Sequence, residues 1–379
     1  MSEQGEGGAL KIPLSDVELG EPEIEAVTAV LRSRWLTAGA ICAQFETALA
    51  ATTGTPHALA VANCTAALHM AYLALGVGPG DEVLVPTLSF VAGANTVRMI
   101  GATPVFVDCA GDDDFNVDPT DVERRIGPRT RAITVVHYGG YPCAMDEVLA
   151  LARRHGLPVV EDCAHAPGGT YRGKPLGGLG DVGCFSFFGN KNITTGEGGA
   201  VVTRDAALAE RLRLLRSHGM TTMTWDRHRG HASSYDVVAP GLNYRLDEIR
   251  AAIGLCQLRR LADNNARRAR VVRAYRRALS GFAGVGVPFA DRDESTFHLM
   301  PILLPRGADR DAVMAHLRRE DIGTSVHYPP THLFSAYRGT TSALPRAEAL
   351  APRILTLPLY PSMTDSDVDA VVGALRAAC

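Results

Sequence analysis

The sequence of 379 residues has no excess of basic charge, no long apolar run and no closely spaced pair of cysteines. Its net charge of −3 provides no positive field for nucleic acid or for an anionic membrane surface. The most apolar stretch, residues 58–78, is interrupted by Asn63, Thr65 and His69, so a membrane span is not expected. The eight cysteines form no C-x-x-C pair, which argues against a structural zinc site and favours buried free thiols.

The N-terminal residues also lack the features of a secretory signal. Residues 1–10, MSEQGEGGAL, have neither a basic start nor an apolar run. We therefore predict a short disordered leader there and a cytoplasmic protein.

Short β-branched segments alternate with helical patterns between residues 56 and 203. Several strand segments are apolar throughout, which is typical of a sheet covered on both faces, and the alternation favours a mainly parallel α/β sheet. The short connection between segments 183–188 and 199–203 has no room for a crossover helix, so it predicts an antiparallel pair. The predicted strands are 58–61, 81–86, 103–108, 132–137, 157–162, 183–188 and 199–203, and the predicted helices are 65–75, 90–100, 118–126 and 144–155.

The pattern changes after residue 205, where helices dominate. We predict a large α/β domain over residues 11–250, whose first segment packs against a smaller C-terminal α+β domain over residues 251–379. The later predicted elements are helix 205–219, an arginine-rich helix within 245–281, strand 298–304, and helices 309–319 and 364–378.

Three positions along the predicted sheet carry residues that are suited to chemistry. The turn Asn63-Cys64-Thr65 opens a predicted helix, where free N–H groups favour an anion; the alternative is that Asn63 or Thr65 only caps the helix. Asp162 ends a predicted buried strand, where open α/β sheets bind ligands, although a structural salt bridge would also satisfy its charge. Lys191 follows another apolar strand, and partial desolvation there would lower its pKa and make it a nucleophile; a surface lysine is the alternative.

Together these positions meet the needs of pyridoxal 5'-phosphate. The helix start would anchor the phosphate, Asp162 would keep the pyridine nitrogen protonated, and Lys191 would carry the aldehyde as an imine. The sequence therefore predicts this cofactor, with pyridoxamine 5'-phosphate in the half-reaction.

With these residues in view, the chain resembles the DegT-type sugar aminotransferases, a branch of fold-type I pyridoxal-phosphate enzymes related to aspartate aminotransferase. The resemblance covers residues 10–375 and implies a large domain with a mainly parallel mixed sheet, covered by helices on both faces, and a small C-terminal α+β domain. The matching stretches are LTAGAICAQFE (36–46), NCTAALH (63–69), GDEVLVPTLSFVAGAN (80–95), PVFVD (104–108), VVEDCAHAPGG (159–169), GDVGCFSFFGNKNITTGEGGAV (180–201), GLNYRLDEIRAAIGLCQL (241–258), HYPPTH (327–332) and LPLYP (357–361).

The resemblance implies a role for each matching site residue. Lys191 and Asp162 would be catalytic: the lysine would carry the cofactor and move a proton, and the carboxylate would pair with the pyridinium nitrogen. A homodimer with shared active sites is implied, in which Asn243 of the partner subunit reaches the phosphate. The implied cofactor contacts are Thr65, the Ala66 backbone N–H, Phe90 stacked on the ring, Asp162, His165, Ser186, Lys191 and Asn243, and the implied substrate contacts are Trp35, Thr37, His327 and Tyr328.

Two features depart from the family's general pattern. Cys64 occupies a position where many relatives have glycine, and the loop over residues 224–237 is unusually basic. We predict that Arg227, His228 and Arg229 of this loop reach across the dimer toward a substrate diphosphate, with a solvated surface loop as the alternative. No metal site is predicted, because the cluster Asp226, His228 and His231 lacks a further convergent ligand.

The implied activity is transfer of an amino group from glutamate or glutamine to a keto sugar. The expected acceptor is a nucleotide-linked 4-keto- or 3-keto-6-deoxyhexose, and the pathway amino-sugar or antibiotic biosynthesis. A keto-inositol acceptor, as in aminoglycoside synthesis, and a non-catalytic cofactor-binding regulator stay open as alternatives. A pyridoxamine-dependent dehydratase is disfavoured, because that class has histidine at the position of Lys191.

Overall fold

The centre of the computed structural model, which describes residues 10–222, 234–339 and 343–379, is a mixed sheet of seven strands. The strands lie in the order β1-β9-β8-β5-β4-β2-β3. Neighbours from β3 to β8 are parallel, whereas β9 runs antiparallel to both β8 and β1, which confirms the predicted antiparallel pair. The strands are β1 (His57–Val61), β2 (Glu82–Pro86), β3 (Thr103–Val107), β4 (Thr130–Val136), β5 (Val159–Asp162), β6 (Thr170–Tyr171), β7 (Lys174–Pro175), β8 (Val182–Ser186), β9 (Gly199–Thr203), β10 (Met300–Leu303) and β11 (Ile354–Leu357).

Helices cover both faces of this sheet. On β2, Val83 and Val85 pack into the cluster that contains Leu68, whereas Leu84, between them, packs into the cluster that contains Val148 on the other face. Successive strand residues point to opposite faces, so a strand buried on both sides must be apolar throughout, as predicted. The helices are α1 (Glu21–Ser33), α2 (Ala40–Thr53), α3 (Cys64–Ala74), α4 (Ala92–Met99), α5 (Pro119–Arg125), α6 (Met145–His155), α7 (Ala206–Arg216), α8 (Glu248–Leu279), α9 (Arg310–Arg319), α10 (Pro345–Leu350) and α11 (Asp365–Ala378).

Helix α8 has 32 residues and connects the large sheet to the C-terminal elements. It packs against α1, α2 and α11. The C-terminal strands β10 and β11 form a separate antiparallel pair. The extended N-terminal segment reaches this part of the chain, because Ile12 bridges to Ile322 and the Leu359 N–H donates to the Leu14 carbonyl. The domain boundary after residue 250, which falls within α8, stays a prediction.

Among the helices and strands of the described ranges, six were not indicated by the sequence patterns: α1, α2, α10, β6, β7 and β11. Helix α1 buries only Glu23 and Val30, so it has no continuous apolar stripe. Glu23 instead accepts hydrogen bonds from Gln257 and Arg260 of α8. A helix that is attached through polar contacts of this kind gives a weak periodicity signal. None of the helices in the described ranges combines the length and the apolar character needed to cross a bilayer.

Candidate active site

The predicted lysine and carboxylate lie at one edge of the large sheet. Asp162 is the last residue of β5, and Ser186 is the last residue of the parallel neighbour β8. Lys191 follows β8 in the loop that leads to β9. Carboxyl ends of parallel strands meet at the same edge, which is where open α/β sheets bind ligands.

Asp162 is buried, with a relative exposure of 6%. Its Oδ1 accepts a hydrogen bond from the Ala164 N–H at 3.0 Å and lies 3.8 Å from Sγ of Cys64 at the start of α3. Burial raises the pKa of this carboxyl, while the Ala164 N–H and the charge of Lys191 act in the opposite direction. No arginine is paired with Asp162 in the described parts of the chain, so a structural salt bridge does not account for it.

In the turn before α3, Asn63 caps the helix, which was the alternative to phosphate binding at this stretch. Oδ1 of Asn63 accepts the Ala66 N–H at 2.8 Å, so the N–H predicted to hold a phosphate already has a partner. Thr65 is exposed at the first turn of this helix of 11 residues. Gly199 of β9 passes so closely that a Cβ there would lie 2.7 Å from the Cys64 nitrogen. The close approach requires glycine at position 199.

Lys191 is partly buried, and its Nζ lies 3.5 Å from Nε2 of His298. Burial lowers the pKa of Lys191 to about 8, although the nearby Asp162 carboxylate and Cys64 favour the charged form. An amine with this pKa is neutral in about one molecule in ten at pH 7, far more often than an ordinary lysine. It can therefore act as a nucleophile and as a general base.

Two histidines and a tyrosine complete the cluster. The His165 ring stacks on the His298 ring with centroids 4.5 Å apart, and its Nε2 lies 2.9 Å from the Tyr328 hydroxyl. The Gly139 N–H donates to Nδ1 of His165, so the neutral ring has its proton on Nε2 and donates it to the Tyr328 oxygen. Burial, and then the charge of Lys191, lowers the pKa of His165 well below its ordinary value. The ring is therefore neutral.

His327 belongs to the same group. Its Nδ1 lies 3.0 Å from the Thr356 hydroxyl, and its carbonyl accepts a hydrogen bond from Tyr138. Burial, and then Lys191, lowers the pKa of His327 to about 4. The structure thus brings His327 and Tyr328, predicted as substrate contacts, beside the lysine and carboxylate.

The other predicted contacts lie at or beyond the rim of this cluster. Phe90 is 60% exposed, and its ring centroid is 6.3 Å from that of Tyr328. Ser186 is buried at the end of β8, and its hydroxyl accepts the Phe188 N–H at 3.4 Å. Asn243 is exposed, and its backbone bridges to that of Ser217.

Trp35 and Thr37 lie between α1 and α2, in a segment that is attached to the start of α8. Glu248 accepts hydrogen bonds from the N–H groups of Gly39, Ile41 and Cys42 at 2.8–3.0 Å. This carboxylate occupies the N-terminus of α2, where a negative charge is favoured. Glu248 was not singled out by the sequence, because its partners lie more than 200 residues away in the chain.

Residues 223–233 and 1–9 lie outside the described residues. The predicted diphosphate contacts Arg227 and Arg229, the neighbouring His228, the weighed metal cluster and most of the predicted leader therefore stay predictions.

A second carboxylate, Glu161, is fully buried beside Asp162. It accepts hydrogen bonds from the Gly177, Leu179 and Gly180 N–H groups at 2.7–3.0 Å and lies 3.1 Å from His137 Nε2. Burial by itself raises the pKa of Glu161, but these partners hold it below its ordinary value. His137, Glu161 and Cys163 have ligand atoms within 4.8 Å of one another, yet the carboxylate oxygens are already occupied by these donors. The hydrogen bonds of Glu161 therefore connect β5 to the loop before β8.

The fold and the whole length of the chain match one known family. The model of the DegT/DnrJ/EryC1/StrS aminotransferase family matches residues 17–376. The chain belongs to this family. The family depends on pyridoxal phosphate, and its members include solved structures in both the pyridoxal and pyridoxamine forms.

Three relatives illustrate the likeness of this sugar aminotransferase to known proteins. The spore coat polysaccharide biosynthesis protein SpsC of Bacillus subtilis (strain 168) is 42% identical over 375 residues, 96% of each chain. The sugar aminotransferase Spr1654 of Streptococcus pneumoniae, solved in its pyridoxamine form, is 30% identical with a TM-score of 0.91, over 97% of this chain and 99% of that one. DesI, solved with its TDP-sugar product, is 35% identical with a TM-score of 0.88, over 98% of this chain and 93% of that one. These matches confirm the predicted fold class and the aminotransferase assignment.

Proposed function

We propose that this sugar aminotransferase holds pyridoxal 5'-phosphate through Lys191 and transfers an amino group from glutamate or glutamine to a nucleotide-linked keto-6-deoxyhexose. The observation that carries the proposal is that a partly buried amine, whose pKa is lowered to about 8, and the buried carboxylate of Asp162 lie at the same carboxyl edge of the sheet and act on each other's charge. A carboxylate and a neutral amine are the groups that this cofactor requires.

The residues present fit the cofactor in charge and position. When bound, the cofactor supplies an electron sink. Asp162 would hold a proton on the pyridine nitrogen, because a buried carboxylate that has no arginine partner among the described residues gains from a cationic neighbour. Lys191 Nζ would take a proton from the amino-acid carbon and return one during the exchange, which an amine with a pKa near 8 can do in both directions.

Further residues would hold the rest of the cofactor. The start of α3 with Thr65, together with Ser186, would bind the phosphate, because the helix terminus offers N–H groups and favours an anion. The Asn63 cap occupies the Ala66 N–H, so we assign the phosphate to the Thr65 side chain before that backbone group. Phe90 would cover one face of the pyridine ring, and His165 would lie at its other face or at its phenolic oxygen.

We further propose a homodimer in the cytoplasm with the active sites at the interface. The support lies in the surface near the site: Phe90, Phe188 and Leu242 are 60%, 47% and 43% exposed, and Asn243, which would reach the partner's phosphate, is exposed. Large apolar side chains that stay exposed are a feature that a protein interface would cover. The seven buried cysteines are free thiols, which suits a reducing compartment.

The acceptor class is supported by the relatives. DesI was solved with its TDP-sugar product, and SpsC is a spore coat polysaccharide biosynthesis protein. We propose a keto group at position 4 or 3 of the hexose and an open site that receives the nucleotide beside Trp35, Thr37, His327 and Tyr328.

The test begins with the covalent link. Borohydride reduction of the loaded protein, followed by peptide mass spectrometry, should place the cofactor on Lys191, and Lys191→Ala should abolish the label. The pyridoxamine form is then mixed with nucleotide-linked 4-keto and 3-keto hexoses and with keto-inositols. Return of the yellow pyridoxal form with a hexose supports the proposal. Return only with a keto-inositol would replace the acceptor, and an unlabelled Lys191 would refute the assignment.

A further inference from the structure

His298 lies directly beside the amine that carries the proposed chemistry. Its Nε2 is 3.5 Å from Lys191 Nζ, and only 5% of the residue is exposed. It lies two residues before β10, so it comes from the C-terminal part of the chain, whereas Lys191 follows β8 of the large sheet. The contact therefore depends on how these two parts of the chain pack.

The neighbouring side chain of Asn192 determines which His298 nitrogen carries a proton. The Asn192 amide nitrogen donates to the Thr296 carbonyl and to Oδ1 of Asn265, both at 2.8 Å. A carbonyl can only accept, so the amide nitrogen must face Thr296, and Oδ1 of Asn192 must face His298. That oxygen lies 2.9 Å from Nδ1 of His298.

Asn265 is oriented in the same way, because its own amide nitrogen donates to the Pro167 carbonyl at 3.1 Å. The series of hydrogen bonds thus begins and ends on backbone carbonyls that allow one direction only. Nδ1 of His298 must donate to Asn192, so the neutral ring presents an unprotonated Nε2 to Lys191.

The surroundings keep this ring neutral. Burial lowers the pKa of His298 well below its ordinary value, and the charges of Lys191 and Arg268 act in the same direction. Asp162 and Cys64, in contrast, raise the pKa of Lys191 and favour its charged form.

We propose that His298 is a positioning residue, in which the Nε2 lone pair accepts a hydrogen bond from Lys191 Nζ while Asn192 fixes the tautomer that makes this possible. One N–H of the amine is committed to His298, which limits the rotation of the amine about its Cε–Nζ bond. The acceptor also stabilises the ammonium more than the amine, because a hydrogen bond to a charged donor is stronger. The consequence for the reaction rests on the proposed role of Lys191, whereas the contact itself does not.

The test uses two variants of similar size. In His298→Gln the amide oxygen can replace Nε2 as an acceptor, whereas His298→Phe retains the ring that stacks on His165 but removes the acceptor. Cofactor-free protein is treated with trinitrobenzenesulfonate across a pH series, and modification of Lys191 is measured by peptide mass spectrometry. We expect the midpoint for His298→Phe to fall by about one pH unit, since a charge-assisted hydrogen bond is lost, and that for His298→Gln to stay near the wild type. An unchanged midpoint in His298→Phe would overturn the proposal.

A second measurement reads the tautomer directly in the wild-type protein. In protein labelled with ¹⁵N-histidine, the His298 ring signals, identified by their loss in His298→Gln, should show a proton on Nδ1 and none on Nε2. A proton on Nε2 would contradict the tautomer and the proposal with it.

The loaded protein provides a third result. The rate at which added pyridoxal phosphate produces the yellow form should fall on the order of tenfold in His298→Phe and much less in His298→Gln, because an unoriented amine reaches the aldehyde less often. Thermal unfolding of both variants shows whether the packing is intact. If wild-type Lys191 takes no cofactor at all, the proposed function fails, while the modification and tautomer measurements still decide the role of His298.

Discussion

Burying an amine beside the sheet costs stability, and the cost should depend on pH in a predictable way. Burial lowers the pKa of Lys191 from 10.5 to about 8. Between these two values the unfolded chain binds a proton that the folded chain does not, so the stability of the cofactor-free protein rises with pH. Below pH 8 the full cost is present, and above 10.5 it has disappeared. Replacing the lysine with methionine keeps most of the side-chain volume and removes the charge.

The magnitude follows from the pKa difference of 10.5 − 8, about 2.5, at about 1.36 kcal/mol for each unit. Lys191→Met should therefore stabilise the cofactor-free protein by about 3 kcal/mol at pH 7. The gain should decrease to about 2 kcal/mol at pH 9 and about 1 kcal/mol at pH 10. Better packing of the methionine would add a constant amount at every pH.

The assay is denaturant unfolding of both proteins at pH 7, 8, 9 and 10, after the cofactor has been removed. The control is Lys174→Met on β7, where the lysine is exposed and is solvated in the folded and the unfolded chain alike. Its free-energy difference should not change with pH. If the difference for Lys191→Met is also the same at all four pH values, the lysine is not desolvated, and burial does not make it a nucleophile.

Two further predictions concern the carboxylates that organise the site. Glu161→Gln should destabilise the protein by about 3 kcal/mol in denaturant unfolding. The reason is that one amide oxygen cannot accept hydrogen bonds from His137 and from three backbone N–H groups. A loss below about 1 kcal/mol would show that the network is dispensable. Glu248→Ala should lower the free energy of unfolding by about 1–2 kcal/mol, because it removes the acceptor at the start of α2. If Trp35 and Thr37 contact the keto sugar, the same substitution should also raise the KM for that sugar. In Glu248→Gln one acceptor remains, so an equal loss in both variants would contradict the capping role.

The central sheet could be predicted because its physical causes are local. Apolar strands such as Gly199–Thr203 are buried on both faces, and the connection between β8 and β9 is too short for a crossover helix, so the two strands pair antiparallel. Helix α1 could not be predicted in this way. Its attachment to α8 depends on the buried Glu23, whose partners Gln257 and Arg260 are distant in sequence.

The distance between partners along the chain also explains why the sequence did not indicate a role for His298. From sequence it belonged to the predicted strand 298–304, and the observed strand begins only at Met300. Nothing near it in the chain marks it as a partner of Lys191. A signal does exist in Asn192, which follows the lysine directly and needs several polar partners if it is buried.

Glu161 and Asp162 show why residue type alone does not assign a role. They are adjacent at the end of β5, so the alternation of the strand places their side chains on opposite faces of the sheet. On one face, loop amides and His137 satisfy the Glu161 charge completely. On the other, Asp162 has one N–H donor, a thiol and a nearby amine, which leaves the carboxylate able to accept a cationic ligand. Glu161, whose hydrogen-bonding capacity is satisfied, is structural, whereas Asp162 is available for binding. The number of hydrogen-bond donors around each carboxylate distinguishes the two residues.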